Sequence, residues 1–535
     1  MIAGRYHEST KHHFTRFARS RGYLDWATQP YPFRRYEGAP TRELSRAPLV
    51  ADVPYDALFA SAVPPQPITE HAIGEFLRCS MGLSAWKQYG ASRWALRVNP
   101  SSGNLHPTEA WIVHDGRICH YAPKEHALEE RCAFAKADSK VGLLEGCFLV
   151  ALTSIVWREA WKYGERAFRY CQHDTGHAIG ALRLAAAMLG WQMQVLPEWS
   201  DAQIAAVLGL DRDVDFGNAE REEPECVAVV GRGSSVAPDA LVAAARAGSW
   251  FGQANLLSPD HVEWPIIDEV VRATKYPGSR DEAAGSQDHA SGCRSRAVPA
   301  PESRPYARDI ILQRRSALAF DPRGTLTRDA FFSMLARLHP GAPPFDAIDW
   351  PTQVHLVLFI HRVRDMTPGI YAYVRDPAVV GEWKAAMRVE FLWEPIPRTS
   401  EAGTVEPACL YLLVPIEGGP IANRLSCDQD IAEDGFFAVA MISRFGAPLR
   451  EHGEWFYRRL FWECGLIGQV LYLEAEAAGA RATGIGCYYD DPVHEMLGLS
   501  GQDWQSLYHF SMGVPLEDAR LTSEPGYPWE QRQAR

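Results

Sequence analysis

The chain has 535 residues, a net charge of -12, and 47% hydrophobic against 22% charged residues. That length predicts two or three domains, and the acidic balance excludes an electrostatic footprint for nucleic acid. No run reaches the roughly 18 apolar residues of a membrane helix, so no membrane partner is expected.

Met1 to Arg21 is polar, with His7, His12 and His13 among basic residues, which does not read as a secretory signal; the expected location is cytoplasmic. Eleven cysteines, an odd number without a Cys-x-x-Cys pair, argue against a disulfide framework or a zinc site and for reduced, mostly buried thiols. Asn99-Pro100-Ser101-Ser102-Gly103-Asn104-Leu105-His106-Pro107 groups hydroxyls, an amide and free backbone N–H groups on one short loop, which suits a polar heterocycle or a ribityl chain. Such a stretch by itself is also an ordinary turn between a helix and a strand.

Further along, Trp161-Lys162-Tyr163-Gly164 precedes a long apolar helix beginning near Phe168. An amine whose pKa is lowered by burial, next to a phenol, is a candidate proton-transfer pair, Lys162 with Tyr163. On that helix His173 and His177 lie one turn apart, but no third ligand stands at metal spacing, so no metal is expected and Asp174 reads as a cap at a polar helix start.

Between Lys275 and Pro305, Gly, Ser, Asp, Pro and Arg crowd together, a flexible linker by composition. The order of features on either side repeats. FRYCQHDTGHAIGALRLAAAMLGW from Phe168 matches YRRLFWECGLIGQVLYLEAEAAGA from Tyr457, with Gly176 on Gly465. Each long helix leads to a strand, then to a short helix closing in Leu208-Gly209-Leu210 or Leu497-Gly498-Leu499, then to an apolar strand from Cys226 or Leu507. A duplication at this period is two fused domains, since solenoid repeats are about 20–50 residues long. The expected organisation is therefore 1–274, a linker over 275–305, and 306–535.

In the second half, Gln313-Arg314-Arg315-Ser316 sets two guanidiniums, whose forks match phosphate oxygens, beside a hydroxyl. Thr483-Gly484-Ile485-Gly486 adds a glycine pair, where missing side chains let backbone approach a flat ligand. It lacks the third glycine and the strand-to-helix setting of a dinucleotide fingerprint.

Taken in order, these segments resemble the nitroreductase superfamily, with its Arg-x-Ser helix start, Pro-Ser-Ser-x-Asn loop, post-helix turn and basic tail residue. The likeness is closest to the branch containing the SagB-type dehydrogenases of azole-peptide maturation. Tyr6-His7-x-x-Thr10-Lys11-His12, Leu24-Asp25-Trp26, Gln29-Pro30 and Arg97 to Trp111 echo that branch.

The resemblance implies an α+β fold of two tandem nitroreductase-like domains, each a central, mostly antiparallel sheet flanked by helices, together forming an internal pseudo-dimer. It also implies an FMN site at the interface of the halves. Arg314, Arg315, Ser316, Gly484, Ile485, Gly486 and Arg520 would come from the second half, and Pro100, Ser101, Ser102 and Asn104 from the first. The reciprocal site would have to use PFDAIDWP from Pro344 and LPEWSD from Leu196, so one flavin per chain is expected.

Leu318 stands where the family often has Lys or Arg near the flavin, and Lys162-Tyr163 matches a pair that SagB-type enzymes are thought to use for proton movement. The expected activity is FMN-dependent oxidation of a small-molecule or peptide-derived substrate. The alternatives are a nitro or quinone reductase with NAD(P)H as transient electron donor, and a flavin-binding or partner-binding scaffold without turnover.

Overall fold

The computed structural model describes residues 1–60, 62–135, 146–232, 237–278, 305–399, 405–406 and 409–532. Most of the expected linker, 279–304, lies outside them. Its first residues are docked: Tyr276 packs on Trp455, ring centroids 4.5 Å apart, and its backbone N–H donates to Asp201 at 3.1 Å.

The chain begins with helix α1 (Ile2–Ser9). A hairpin of β1 (Leu83–Tyr89) and β2 (Ser92–Arg97) leads to β3 (Thr108–His114), β4 (Arg117–Ala122), β5 (Ala127–Ala133) and β6 (Cys147–Ser154). Helices α2 (Val156–Tyr163) and α3 (Ala167–Met188), strand β7 (Met193–Val195), helix α4 (Asp201–Leu208) and strand β8 (Glu223–Gly231) complete the first core.

After the linker come α5 (Ala307–Gln313), β9 (Val354–Ile360), β10 (Gly369–Tyr373), β11 (Leu410–Pro415) and β12 (Phe437–Arg444). Helix α6 (Phe456–Ala477), β13 (Arg481–Ile485), α7 (Asp490–Leu497), β14 (Trp504–Gly513) and β15 (Thr522–Pro525) follow.

The two sheets share one strand order. In the first it runs β5-β4-β3-β6-β8-β7, and in the second β11-β10-β9-β12-β14-β13. Neighbours are antiparallel throughout, with Val150 of β6 standing between Ile112 of β3 and Ala228 of β8. Helices α4 and α7 both end on a left-handed glycine, Gly209 at φ 70° and Gly498 at φ 81°, which is why the same Leu-Gly-Leu stop recurs.

Helices α3 and α6 are 22 residues long, and every residue of α3 is buried. Polar residues such as Arg169, His173 and Asp174 are buried with the apolar ones, and the two helices pack against each other along their length. A Cβ on Gly176 would collide with the Trp462 carbonyl, and one on Gly465 with the His173 carbonyl, so both glycines are required for backbone-to-backbone approach.

The crossing obeys a pseudo-two-fold. Arg169 of α3 bonds Asp490 of α7, while Arg458 of α6 bonds Asp201 of α4. Both members shift by the 289 positions that separate Gly176 from Gly465 (458 less 169, 490 less 201, 465 less 176). Terminal arms then cross between the halves. His7 of α1 lies between Tyr457 and Gln505 of the second half, and β15 adds to β1 of the first.

Candidate flavin site

One cavity of about 430 Å³ opens where the two halves meet, lined by Pro100 to Asn104 from one side and by Arg314 to Ser316 and Gly484 to Gly486 from the other. Segments more than 200 residues apart are thus brought together by the α3–α6 crossing.

The loop of the first half runs between strands β2 and β3, not from a helix. Gly103, Asn104 and His106 take left-handed φ values of 58°, 60° and 54°, and side chains hold the turn. Ser102 donates its backbone N–H to Asp174 at 3.0 Å and its hydroxyl at 3.1 Å, Ser101 Oγ accepts the His106 N–H at 2.7 Å, and the Asn104 amide donates to the Ala95 carbonyl at 2.7 Å.

Asp174 is therefore no helix cap. It sits inside α3, buried, and burial raises its carboxyl to about 7 against the bonds from Ser101 and Ser102 that lower it. Behind it Glu159 is fully buried, neither carboxylate oxygen has a hydrogen-bond partner among the described residues, and burial followed by the Asp174 charge holds its pKa well above the usual range.

Arg314 and Arg315 follow the end of α5, so the Arg-x-Ser segment closes a helix where the resemblance implied that it would open one. The guanidinium of Arg314 is buried over the Tyr472 ring and donates to the carbonyls of Arg97 and Val98 at 3.2 Å, leaving Nε unpartnered. Arg315 donates to three more carbonyls, those of Leu312, Arg314 and Ser84. Neither has a carboxylate salt bridge among the described residues. Burial and then the charge of Arg314 push the Arg315 guanidinium down to about 10. The Glu476 carboxylate acts on both guanidiniums against their burial but forms no salt bridge to either among the described residues, so each charge is only partly compensated.

The second-half glycine pair is not the turn the sequence implied: Gly484 and Ile485 belong to strand β13, paired with β14, and Gly486 follows its end. Gly484 donates its N–H to Tyr472 Oη at 2.9 Å, and that phenol also meets Ser316 Oγ at 2.9 Å. A Cβ on Gly484 would strike the Tyr508 hydroxyl, and one on Gly486 the Tyr170 ring. These glycines make room for tyrosines that wall the cavity, together with His177, which burial and then Arg314 lower to about 3.

Two further expectations shift. Arg520 is exposed, paired to Asp518 at 2.8 Å and over the Tyr89 ring; Leu521 lines the cavity in its place. Tyr163 lines the cavity, whereas Lys162 Nζ stands beside it, 5.1 Å from the Tyr163 ring centroid. Leu318 lies on the rim, 67% exposed, but the wall holds another cation that sequence reading missed, Lys87 of β1. Burial and then the Arg481 charge lower its pKa.

Asp174, Tyr472, Tyr508 and Tyr170 were also missed. Their only sequence signal was membership of the long helices or of the last strand.

With site and fold described, the protein class is an oxidoreductase one, built as two copies of a single fold. The nitroreductase family profile matches residues 64–232 and again 311–514, and the chain belongs to that family, whose members generally bind flavin.

A protein from Anabaena variabilis assigned as a nitroreductase superposes with a TM-score of 0.67 at 19% identity, over 96% of this chain and 99% of the other, and shares the fold. A Ralstonia eutropha protein of the same assignment matches 40% of this chain and 97% of its own at 16% identity and a TM-score of 0.28. The E. coli microcin synthetase McbBCD, bound to truncated pro-MccB17, matches 36% of this chain and 71% of its own at 20% identity and a TM-score of 0.26. No curated protein matches the chain. No helix among the described residues is long and apolar enough to cross a membrane.

Proposed function

We propose that the chain is an FMN-dependent oxidoreductase with a single composite flavin site, formed by halves 1–274 and 306–535 joined through 275–305. The observation that carries this reading is the cavity itself, where the polar loop of one half faces the two guanidiniums and the glycine pair of the other. The donor set fits the group: buried Arg314 and half-buried Arg315, with no carboxylate salt bridge among the described residues, suit a phosphate, and Asn99 Oδ1 and Arg314 Nε, without a hydrogen-bond partner there, suit polar atoms of a ligand.

Bound there, FMN would accept or donate a hydride. Arg314 and Arg315 would hold its phosphate, Ser101, Ser102 and the loop backbone its polar chain, and the Gly484–Gly486 segment its ring. Lys87 would supply the positive charge that Leu318 does not.

Tyr163 Oη and Lys162 Nζ, packed against Gly103, would hold and move the substrate proton, with Asp174 as a carboxyl poised to exchange one near neutral pH. The substrate class favoured is a small molecule or a peptide-derived ring, following the SagB-like features of the sequence.

The experiment is to count flavin per chain by absorbance after purification and FMN loading, and then to assay Lys162→Ala and Tyr163→Phe. One FMN per chain is expected, with turnover falling about 10²-fold or more while flavin is retained. Two tightly held FMN per chain, or full turnover in both variants, would overturn the reading.

A further inference from the structure

Ten cysteines fall among the described residues, and seven of them are buried. Two of the partly exposed ones, 60 positions apart in sequence, stand with their sulfurs 2.8 Å apart: Cys427 and Cys487.

Both segments are clamped. Cys427 and Asp428 are successive non-glycine residues at positive φ, 58° and 56°, in the loop after the helix 419–425. That conformation is uncommon for L-residues and needs support from its surroundings. The Gln429 amide provides it, donating to the Ser426 carbonyl at 2.6 Å and to the Cys487 carbonyl at 3.0 Å, so one side chain ties the two sulfur-bearing segments together. Cys487 directly follows the Gly484–Gly486 segment and, with Gln429, lines the cavity wall.

We propose that Cys427 and Cys487 form a thiol–disulfide exchange centre at the cavity wall, acting on low-molecular-weight disulfides, with Cys487 as the attacking sulfur and Cys427 as the resolving one. The surroundings agree with that division of labour. The hydrogen bond from Cys427 lowers the Cys487 thiol to about 5 against the burial that would raise it, and His12 and Arg166 add to the effect. Cys427 is shifted upward by the same bond and by burial, and remains the protonated partner. A thiolate in an electropositive, partly exposed pocket is the reactive form of cysteine.

The chemistry balances. The Cys487 thiolate attacks a disulfide RSSR, forming Cys487–S–S–R and releasing RS⁻. Cys427 then loses its proton and displaces the second RS⁻, closing the Cys427–Cys487 bond. The chain gives up two electrons and the Cys427 proton, solvent supplies the second proton, and RSSR becomes two RSH.

This inference uses only the chain's own side chains and does not depend on the flavin reading. The test treats the full-length reduced chain with oxidised glutathione at pH 7, quenches with N-ethylmaleimide, and maps peptides by mass. The expected result is a linked Cys427–Cys487 peptide lacking two hydrogens, with two glutathione thiols released per chain.

Cys427→Ser should stop at a glutathione adduct on Cys487. Cys487→Ser should lower the rate of modification of the pair about tenfold or more, because Cys427 alone lacks the thiolate. A persistent glutathione adduct on Cys487 in the parent chain would overturn the proposal. So would a pair no more reactive than the buried thiols, or a Cys487→Ser variant whose Cys427 reacts at the parent rate. Each readout is a peptide mass, so loss of this proposal leaves the flavin count untouched.

Discussion

The cavity and its pseudo-symmetric counterpart occupy the same place in the two halves yet are built from opposite kinds of residue. Shifted by 289 positions, Tyr170 becomes Arg459, His173 becomes Trp462, Gly484 becomes Val195 and Tyr488 becomes Trp199. Trp199, Trp462, Tyr276 and Arg459 close the ring-sized part of the counterpart down to about 20 Å³. What remains is an open polar cleft where Arg183, the equivalent of Tyr472, is neutralised by Asp346.

The interface carboxylates diverge in the same way. Burial alone would raise Asp490, but Arg166 and Arg169 hold it well below the usual range. Asp201 has one arginine, Arg458, because Trp455 stands where Arg166 would, and burial leaves it shifted upward against Arg458 and the Tyr276 N–H. The duplication thus kept the helix crossing, which both halves need for stability, and kept the ring-sized cavity on one side only.

Enlarging the plugged side tests this contrast most severely. Trp462→Ala removes a buried indole and its 2.7 Å bond to Gln172, and should cost about 3–5 kcal/mol of stability. The flavin count should stay at one per chain, since Arg458 and Arg459 there are already paired to Asp201, Glu225 and Asp349. A second bound flavin would break the comparison.

On the open side, Arg314→Gln with Arg315→Gln should weaken FMN affinity about a hundredfold, roughly 2.7 kcal/mol, as read by quenching of flavin fluorescence on titration. Less than a threefold change would remove both from the phosphate role.

Asp174→Asn gives a smaller effect, and one that depends on pH. The folded chain keeps the Asp174 proton up to about 7, whereas the unfolded chain loses it near the ordinary value of 3.8. Stability from this group therefore falls as pH rises between those values and levels off above 7. The variant lacks that fall, so its melting temperature should gain on the parent's from pH 4 to 7, by an amount equivalent to about 1–3 kcal/mol. A constant offset would show that Asp174 is ionised throughout.

Arg520→Ala should do least, leaving the melting temperature unchanged, because its partner Asp518 is a surface neighbour two residues away. FMN affinity should also stay within twofold. A tenfold loss would return Arg520 to the site.

Much of this was legible from residue order. The two long helices, their matching glycines, the Leu-Gly-Leu stops and the final apolar strands are local patterns of periodicity and capping, so the chain alone determined a duplicated α+β protein and the two sets of residues that a composite site would draw upon. Local pattern has no access to distance between segments. Only the tertiary structure decided that Asp174 leaves its expected cap to hold Ser102, that Lys87 supplies a cation across the interface, and that Arg520 stays outside. It also decided that cysteines without any motif meet beside the cavity. In each case the partner lies in a distant segment, brought near by packing of α3 on α6 and by arms that cross between the halves.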